Sequence, residues 1–461
     1  MEKKTLWELY TPEQMEQMKR VNATYKFCLD NGKTERECVR TSVAMAEKAG
    51  YINLADCIRS GRKLSAGDKV YAHYNEKSMV LYHIGKAPLE EGMNILGAHI
   101  DSPRIDIKQN PLYEDSGFAY LDTHYYGGIK KYQWVTIPLA IHGVIAKKDG
   151  SVIDVVIGEK AEDPVFTVTD LLIHLAGDQM QKTAATVVEG EKLDLLVGSI
   201  PLNDTEKDAV KENVLKILMD QYSIEEDDFL SAELELVPSE KARDLGFDRS
   251  MLLAYGQDDR ICAFTSLMAM LELEDVPERT CCCLLVDKEE IGSVGASGMQ
   301  SAFFENMTAE LLELCGCTNP LALRRTLQNS KMLSSDVSAG FDPLYGEAFE
   351  KKNAAFLGNG LVFNKFTGSR GKSGSNDANA EYIAKLRKVM DDNGIRFQTA
   401  ELGRVDVGGG GTIAWIMAKF GMEVIDSGLA VLSMHSPMEV SSQADIYEGV
   451  RGYKAFLKDM R

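Results

Sequence analysis

Two adjacent carboxylates, Glu289 and Glu290, follow an apolar run near the middle of the chain. The run, residues 281–286, has the length and composition of a strand that is buried on both faces. Open α/β sheets place their active sites at the carboxyl ends of such strands. An acidic pair there can divide two tasks, with one carboxylate holding a metal ion while the other moves a proton. A solvated pair at the start of a helix, stabilised by the helix dipole, would have the same sequence.

Four other segments contain metal-ligand residue types in similar settings. His99 ends an apolar run, and Asp101 two positions later can fix the tautomer of its imidazole. Asp258 lies between a strand-like run and an apolar helix, where the alternative role is a helix N-cap. Asp336 and His435 follow further apolar runs, and taken singly each could be a capping or core residue.

Together these residue types suit hydrolysis of an amide bond. Two divalent cations about 3.5–4 Å apart can lower the pKa of a shared water and polarise a carbonyl group. Five carboxylate and imidazole side chains can serve two ions if one carboxylate bridges them. A further acid that is not a ligand must then move the proton from the water to the leaving amine, and one member of the Glu289–Glu290 pair can take that role.

The order His99, Asp258, Glu289-Glu290, Asp336, His435 resembles the aspartyl aminopeptidase family, which includes the vacuolar aminopeptidase and many bacterial aminopeptidases. The likeness extends over nearly the whole chain. It implies that His99 and Asp336 hold one zinc ion, that Glu290 and His435 hold the other and that Asp258 bridges them. Glu289 is then the general base.

The resemblance also implies the activity and the assembly. We expect an aminopeptidase that removes N-terminal residues from peptides with two divalent metal ions per subunit, Zn²⁺ in the first place, although such ligands also accept Co²⁺ and Mn²⁺. The family forms tetrahedral dodecamers, and His174 matches a segment that reaches the active site of a neighbouring subunit. Residues 404–408 depart from the pattern of the eukaryotic, acid-preferring members, so the preferred N-terminal residue stays open.

The alternation of strand-like and helical patterns predicts an α/β fold, a three-layer peptidase domain formed by residues 1–104 and 250–461. We expect residues 105–249 to form an inserted, mainly β domain that serves as an assembly or lid domain. Asp149-Gly150 predicts a hairpin turn within it.

Composition narrows the class of protein. The formal net charge of −19 disfavours nucleic-acid and membrane partners. Nine cysteines, mostly in apolar segments, and an N-terminus with no apolar signal region predict a cytoplasmic protein with reduced thiols.

Several alternatives stay open at this point. A dinuclear carboxypeptidase or N-deacylase would use the same ligands, and a catalytically silent assembly or cargo protein would keep the fold alone. Gly408–Gly411 lacks the ending of a phosphate-binding loop and favours close backbone approach instead. Lys372 fits either a solvated loop or a substrate-facing one.

Overall fold

The computed structural model describes residues 4–368 and 373–461, so Lys372 lies outside the described residues. The chain divides into two compact units. The first comprises the chain up to Asp101 together with Ala242–Met434 and Glu439–Arg461, and the second comprises Ser102–Lys241 and His435–Met438. The roles that the sequence assigns to its two domains stay predictions.

The amino-terminal part of the first unit begins with helices and then enters a sheet. Thr11 and Thr34 cap two of these helices, because each side chain accepts the backbone N–H three residues later. The elements are α1 (Leu6–Leu9), α2 (Pro12–Asp30), α3 (Glu35–Lys48), β1 (Ile52–Asn53), α4 (Leu54–Ser60), β2 (Lys69–Tyr74), β3 (Ser78–His83) and β4 (Asn94–His99).

The second unit is a seven-stranded antiparallel sheet with one α-helix. Its elements are β5 (Arg104–Asp115), β6 (Phe118–Tyr126), β7 (Leu139–Ala146), β8 (Val152–Ile157), β9 (Thr167–Val168), β10 (Leu195–Gly198), α5 (Ala209–Tyr222) and β11 (Ala232–Pro238). The strand order is β8-β7-β11-β5-β6-β10-β9. The hairpin predicted from Asp149-Gly150 is confirmed, since it joins β7 to β8 and Gly150 has the positive φ of +88° that glycine tolerates best.

The rest of the first unit completes its sheets and helices. The elements are β12 (Arg243–Leu245), β13 (Met251–Ala254), α6 (Gln257–Leu271), β14 (Cys281–Val286), α7 (Phe303–Leu314), α8 (Ala322–Asn329), β15 (Lys331–Ser334), β16 (Ser338–Ala339), β17 (Leu361–Asn364), α9 (Ala380–Asp392), β18 (Phe397–Thr399), α10 (Ala414–Ala418), β19 (Glu423–Gly428), β20 (Ala430–Leu432), β21 (Glu439–Ser442) and α11 (Gln443–Asp459). A nine-stranded mixed sheet has the order β1-β2-β3-β14-β4-β15-β19-β17-β18, and a five-stranded sheet the order β12-β13-β21-β20-β16.

Helices cover both faces of the nine-stranded sheet, which confirms the predicted three-layer α/β fold. The side chains of β14 alternate between two apolar cores: Cys281, Cys283 and Leu285 pack with α2, α3, α6, α9 and α11. Cys282 and Leu284 pack with α4, α7, α8 and α10. All residues of β14 are buried, as predicted for a strand covered on both faces.

The central strands of this sheet position the functional side chains. β4 pairs in parallel with β14 on one side and β15 on the other, with Val286 opposite His99 and Ser334 opposite Gly97. The segments that follow these three strands therefore leave the sheet at the same edge. No helix in the described ranges combines the length and the apolar character that a bilayer crossing needs.

Candidate active site

His99 is the last residue of β4, and carboxylates surround its ring. The side chain is 2% exposed. Its Nε2 lies 3.3 Å from Oδ1 of Asp258, and its Nδ1 lies 3.0 Å from the carbonyl oxygen of Asp101. Burial opposes protonation of the ring, but Asp101 and Asp258 outweigh it and raise the pKa of His99 well above its ordinary value. The ring thus lies where a positive charge is strongly favoured.

Asp101 is fully buried and joins two of the parallel strands. Its Oδ1 accepts the backbone N–H of Glu289 at 3.1 Å, and its Oδ2 accepts that of Glu290 at 3.1 Å. The same carboxylate lies 3.3 Å from Nδ1 of His99. Asp101 therefore holds the backbone of the acidic pair close to the imidazole, and its role in catalysis stays a prediction.

Asp258 lies between β13 and the regular part of α6, as the sequence predicted. Its own backbone is extended, with φ −82° and ψ 107°, so it precedes the helical turns. Its backbone N–H donates to Oε2 of Glu439 at 3.0 Å, and its side chain is buried. This carboxylate therefore contacts His99 instead of capping the helix.

Glu289 and Glu290 lie on a single 3-10 turn, Glu289–Ile291, directly after β14. Lys288 before the turn has φ +67° and Gly292 after it has φ +98°, so the chain reverses sharply here. Glu289 Oε2 lies 3.9 Å from Nε2 of His99, and its side chain is 15% exposed. A turn of three residues has little dipole, so dipole stabilisation does not account for the acidic pair.

Asp336 follows β15 and lies close to other carboxylates. Burial, Asp259 and Glu289 raise its pKa well above the ordinary range. Burial also raises the pKa of Asp259. His99 lowers this pKa, and the negative charge of Asp258 raises it. Four carboxylates that repel one another in one buried region are characteristic of a site built for cations.

Two groups of these side chains can each hold an ion. His99, Asp258 and Asp336 offer ligand atoms that all lie within 4.8 Å of one another, and so do His99, Glu289 and Glu290. Nitrogen and carboxylate oxygen are ligands that zinc accepts. The donor set therefore fits a divalent zinc ion.

The two other predicted histidines belong to the second unit. Nδ1 of His435 lies 2.9 Å from the carbonyl oxygen of Gly128, and its backbone has φ +65°. His174 is exposed on the 3-10 turn Ile173–Leu175. The ligand role of His435 and the catalytic role of His174 stay predictions.

Two buried acids beside the site were missed by the sequence reasoning. Asp259 accepts the backbone N–H of His99 at 3.3 Å, and Glu439 accepts that of Asp258. Asp259 is adjacent to a predicted ligand, so the Asp-Asp pair was an available signal. Glu439 had no such signal, because its contact with Asp258 spans 181 positions.

Comparison with protein families gives one match that covers most of the chain. Residues 28–457 match the family described as aminopeptidase I zinc metalloprotease (M18). A protein of Clostridium acetobutylicum, described as a probable M18 family aminopeptidase 1, is 58% identical over 459 residues, which cover 99% of this chain and 98% of that protein.

Solved structures agree with this match. The crystal structure of an M18 aminopeptidase from Thermotoga maritima has a TM-score of 0.94 at 42% identity, with 99% of each chain covered. That of aminopeptidase I from C. acetobutylicum has a TM-score of 0.92 at 56% identity, again with 99% of each chain covered. A yeast mApe1 dodecamer shares the fold, with a TM-score of 0.77 at 20% identity over 96% of this chain and 98% of that one.

Proposed function

Because the chain belongs to the aminopeptidase I zinc metalloproteases (M18) and is an aminopeptidase, we propose that it trims peptides at a centre for two metal ions. One observation carries this proposal. Three parallel strands end at one edge of the nine-stranded sheet and carry His99, the Glu289–Glu290 pair and Asp336, while Asp258 reaches the same place from the start of α6. Ligand atoms of His99, Asp258 and Asp336 lie within 4.8 Å of one another, and so do those of His99, Glu289 and Glu290.

We assign His99 and Asp336 to one ion, Glu290 and His435 to the other, and Asp258 to a bridge between them. The assignment rests on the family resemblance and on the donor types. The raised pKa values of Asp336 and His99 support it, because a cation at this position would relieve the repulsion among the carboxylates and replace the proton on the imidazole. Zinc, when bound, supplies Lewis acidity that polarises a peptide carbonyl and acidifies water.

Glu289 is the proposed general base. Its side chain is partly exposed, so a peptide and a water molecule can reach it, and Oε2 lies 3.9 Å from Nε2 of His99. The Glu289 carboxylate would take a proton from the attacking water and deliver it to the leaving amine. Asp101 keeps that carboxylate in place through the backbone N–H of residue 289.

The direction of attack provides the direct test. An aminopeptidase needs a free α-amino group, so acetylation of a peptide's N-terminus should abolish cleavage while amidation of its C-terminus should leave the rate nearly unchanged. Mass spectrometry of the products identifies the trimmed end. Release of C-terminal residues from the acetylated peptide would refute the proposal in favour of a carboxypeptidase.

We further propose a homo-oligomer, a tetrahedral dodecamer, in which His174 approaches the site of a neighbouring subunit. The yeast mApe1 structure that shares this fold is a dodecamer, which supports a large assembly. So does the surface around His174, where Leu171, Leu172, Ile173 and Leu175 are 48–69% exposed. Apolar side chains exposed next to one another are typical of a protein interface.

Light scattering and subunit mixing test the assembly. An active monomer would exclude it. If His174 acts on a neighbour, co-refolded His174→Ala and Glu289→Gln subunits should regain part of the activity, because some sites would combine an intact Glu289 with an intact His174. Mixed oligomers without any recovery would contradict the shared site.

We also propose a cytoplasmic location for the enzyme. All nine cysteines lie within the described residues and are free thiols. Reduced thiols in this number are typical of reducing compartments.

A further inference from the structure

The first unit has a second polar cleft, at the end of the sheet opposite to the catalytic residues. Its volume is about 390 Å³. Lys331 and Glu423 line it as the first residues of β15 and β19, which run parallel to each other. Arg279, two residues before β14, lines it as well. The catalytic side chains follow the carboxyl ends of these strands, so this cleft is not part of the peptidase centre.

The charges in the cleft are mostly positive. Arg279, Lys331, Lys385 and Arg461 line it, against the carboxylates of Glu91 and Glu423. Asn379 already donates to Oε2 of Glu423 at 2.8 Å. This excess of cations stands out in a chain of net charge −19.

Hydrogen bonds satisfy only part of the Arg279 guanidinium group. Arg279 donates from Nη2 to the carbonyl oxygen of Asn329 at 2.8 Å, while its buried Nε has no hydrogen-bond partner. Among the described residues, none of the four cations takes part in a salt bridge. A buried donor without a partner is costly, because it has lost water and gained nothing in exchange.

Positive charges in the cleft lower the pKa values of their neighbours. Burial is the main cause that lowers the pKa of Lys331; Glu423 opposes this effect, and the positive charges of Lys385 and Arg279 add to it. Burial also lowers the pKa of Arg279, with Arg461 adding to this effect and Glu91 opposing it. An anion between them would offset the burial and the repulsion at once.

We propose that this cleft binds the phosphate group of a small molecule. Guanidinium and ammonium groups that converge on one cavity are the usual ligands of phosphate oxygens. The cleft is larger than one phosphate group, so both inorganic phosphate and an organic phosphate can enter it. The proposal does not depend on the peptidase mechanism.

Binding can be measured by calorimetry on the zinc-loaded enzyme at constant ionic strength. Inorganic phosphate and glycerol 3-phosphate are the two probes, and they distinguish a free from an esterified ligand. The variants are Lys385→Gln, on the exposed side of α9, and the double variant Lys331→Gln/Lys385→Gln. Lys388→Gln is the matched control, because Lys388 lies one turn further along the same helix and pairs with Asp392 at 2.6 Å, outside the cleft.

We expect the dissociation constant of at least one probe to rise roughly threefold in Lys385→Gln and roughly tenfold in the double variant, as for the loss of one and two charge contacts. Lys388→Gln should bind like the parent. Lys385→Gln should keep the parental peptidase kcat, which separates this site from the catalytic one. Should neither probe bind, or should both bind the double variant as tightly as the parent, the proposal is wrong. The single variant at the exposed Lys385 remains decisive if the double variant fails to fold.

Discussion

Replacing Asp101 with asparagine should reduce activity without disrupting the fold. Asp101 uses one carboxylate oxygen for each of two backbone N–H groups, those of Glu289 and Glu290, both at 3.1 Å. An asparagine has a single side-chain oxygen, which can accept only one of these two backbone N–H groups. Its amide NH₂ group would face the other N–H group, and two donors cannot form a hydrogen bond. A hydrogen bond to a charged group contributes about 1.5–3 kcal/mol, and we expect the free energy of unfolding to fall by about that amount.

The effect on catalysis should be separable from this cost. Removal of a group that orients metal ligands typically costs about 10–100-fold in metal affinity or activity. Asp445 provides the matched control, because it is also fully buried in the first unit and its two oxygens accept the backbone N–H groups of Gly358 and Gly360 at 2.7 Å each. Asp445→Asn should therefore disturb a similar pair of backbone hydrogen bonds without touching the catalytic residues.

The assay compares kcat for an aminoacyl chromogenic substrate, zinc content and denaturant unfolding for both variants at pH 8. Burial raises the pKa of Asp445 to about 7, so its carboxyl group is ionised at that pH. We expect Asp101→Asn to lose about 10–100-fold in kcat or zinc affinity and Asp445→Asn to keep both. If the two variants lose activity equally, Asp101 acts through stability alone and the positioning role is refuted.

Three other outcomes are expected. Glu289→Gln should lower kcat by roughly 10²–10⁴-fold, because it removes the proton-transfer group, and elemental analysis should find the parental zinc content; loss of the metal would instead make Glu289 a ligand. Asp258→Ala should deplete the bound metal, because the proposed bridge is gone, and retention of two tightly bound ions would exclude that role. Asp445 binds its proton more tightly in the folded state, so the free energy of unfolding should fall as pH rises from about 4 to 7, by about 1.4 kcal/mol per pH unit more in the parent than in Asp445→Asn. Urea titrations at several pH values measure this difference, and equal slopes would contradict the raised pKa.

Local patterns were sufficient to predict the fold class and several of the individual elements. The apolar run 281–286 is a buried strand, and the apolar run after Asp258 lies in α6. Both predictions rest on apolar composition and hydrophobic periodicity, which can be read from a few neighbouring residues. The glycine run also agrees with close backbone approach at one position, since a Cβ on Gly408 would lie 1.8 Å from the carbonyl oxygen of Leu402.

The contacts that assemble the site could not be predicted in the same way. Asp101 and Glu289 are 188 positions apart, and Asp258 and Glu439 are 181 apart. Nothing in the residue types indicates that a carboxylate accepts a particular backbone N–H so far along the chain. The predicted ligand set came from the resemblance to a family. In that family the order of the motifs along the chain identifies residues that belong to one site.

The strand order of the nine-stranded sheet also sets when the centre can form during synthesis. β4 lies between β14 and β15, but 181 residues separate the end of β4 at His99 from the start of β14 at Cys281. β4 therefore emerges from the ribosome long before either neighbour, and its edges have no partner from these strands until then. The free-energy cost of closing such a loop grows only slowly with its length, but pairing of distant strands is slow. Asp336 follows the last of the three strands and His435 comes later still, so a nascent chain cannot acquire the proposed set of metal ligands until most of the sequence has been translated.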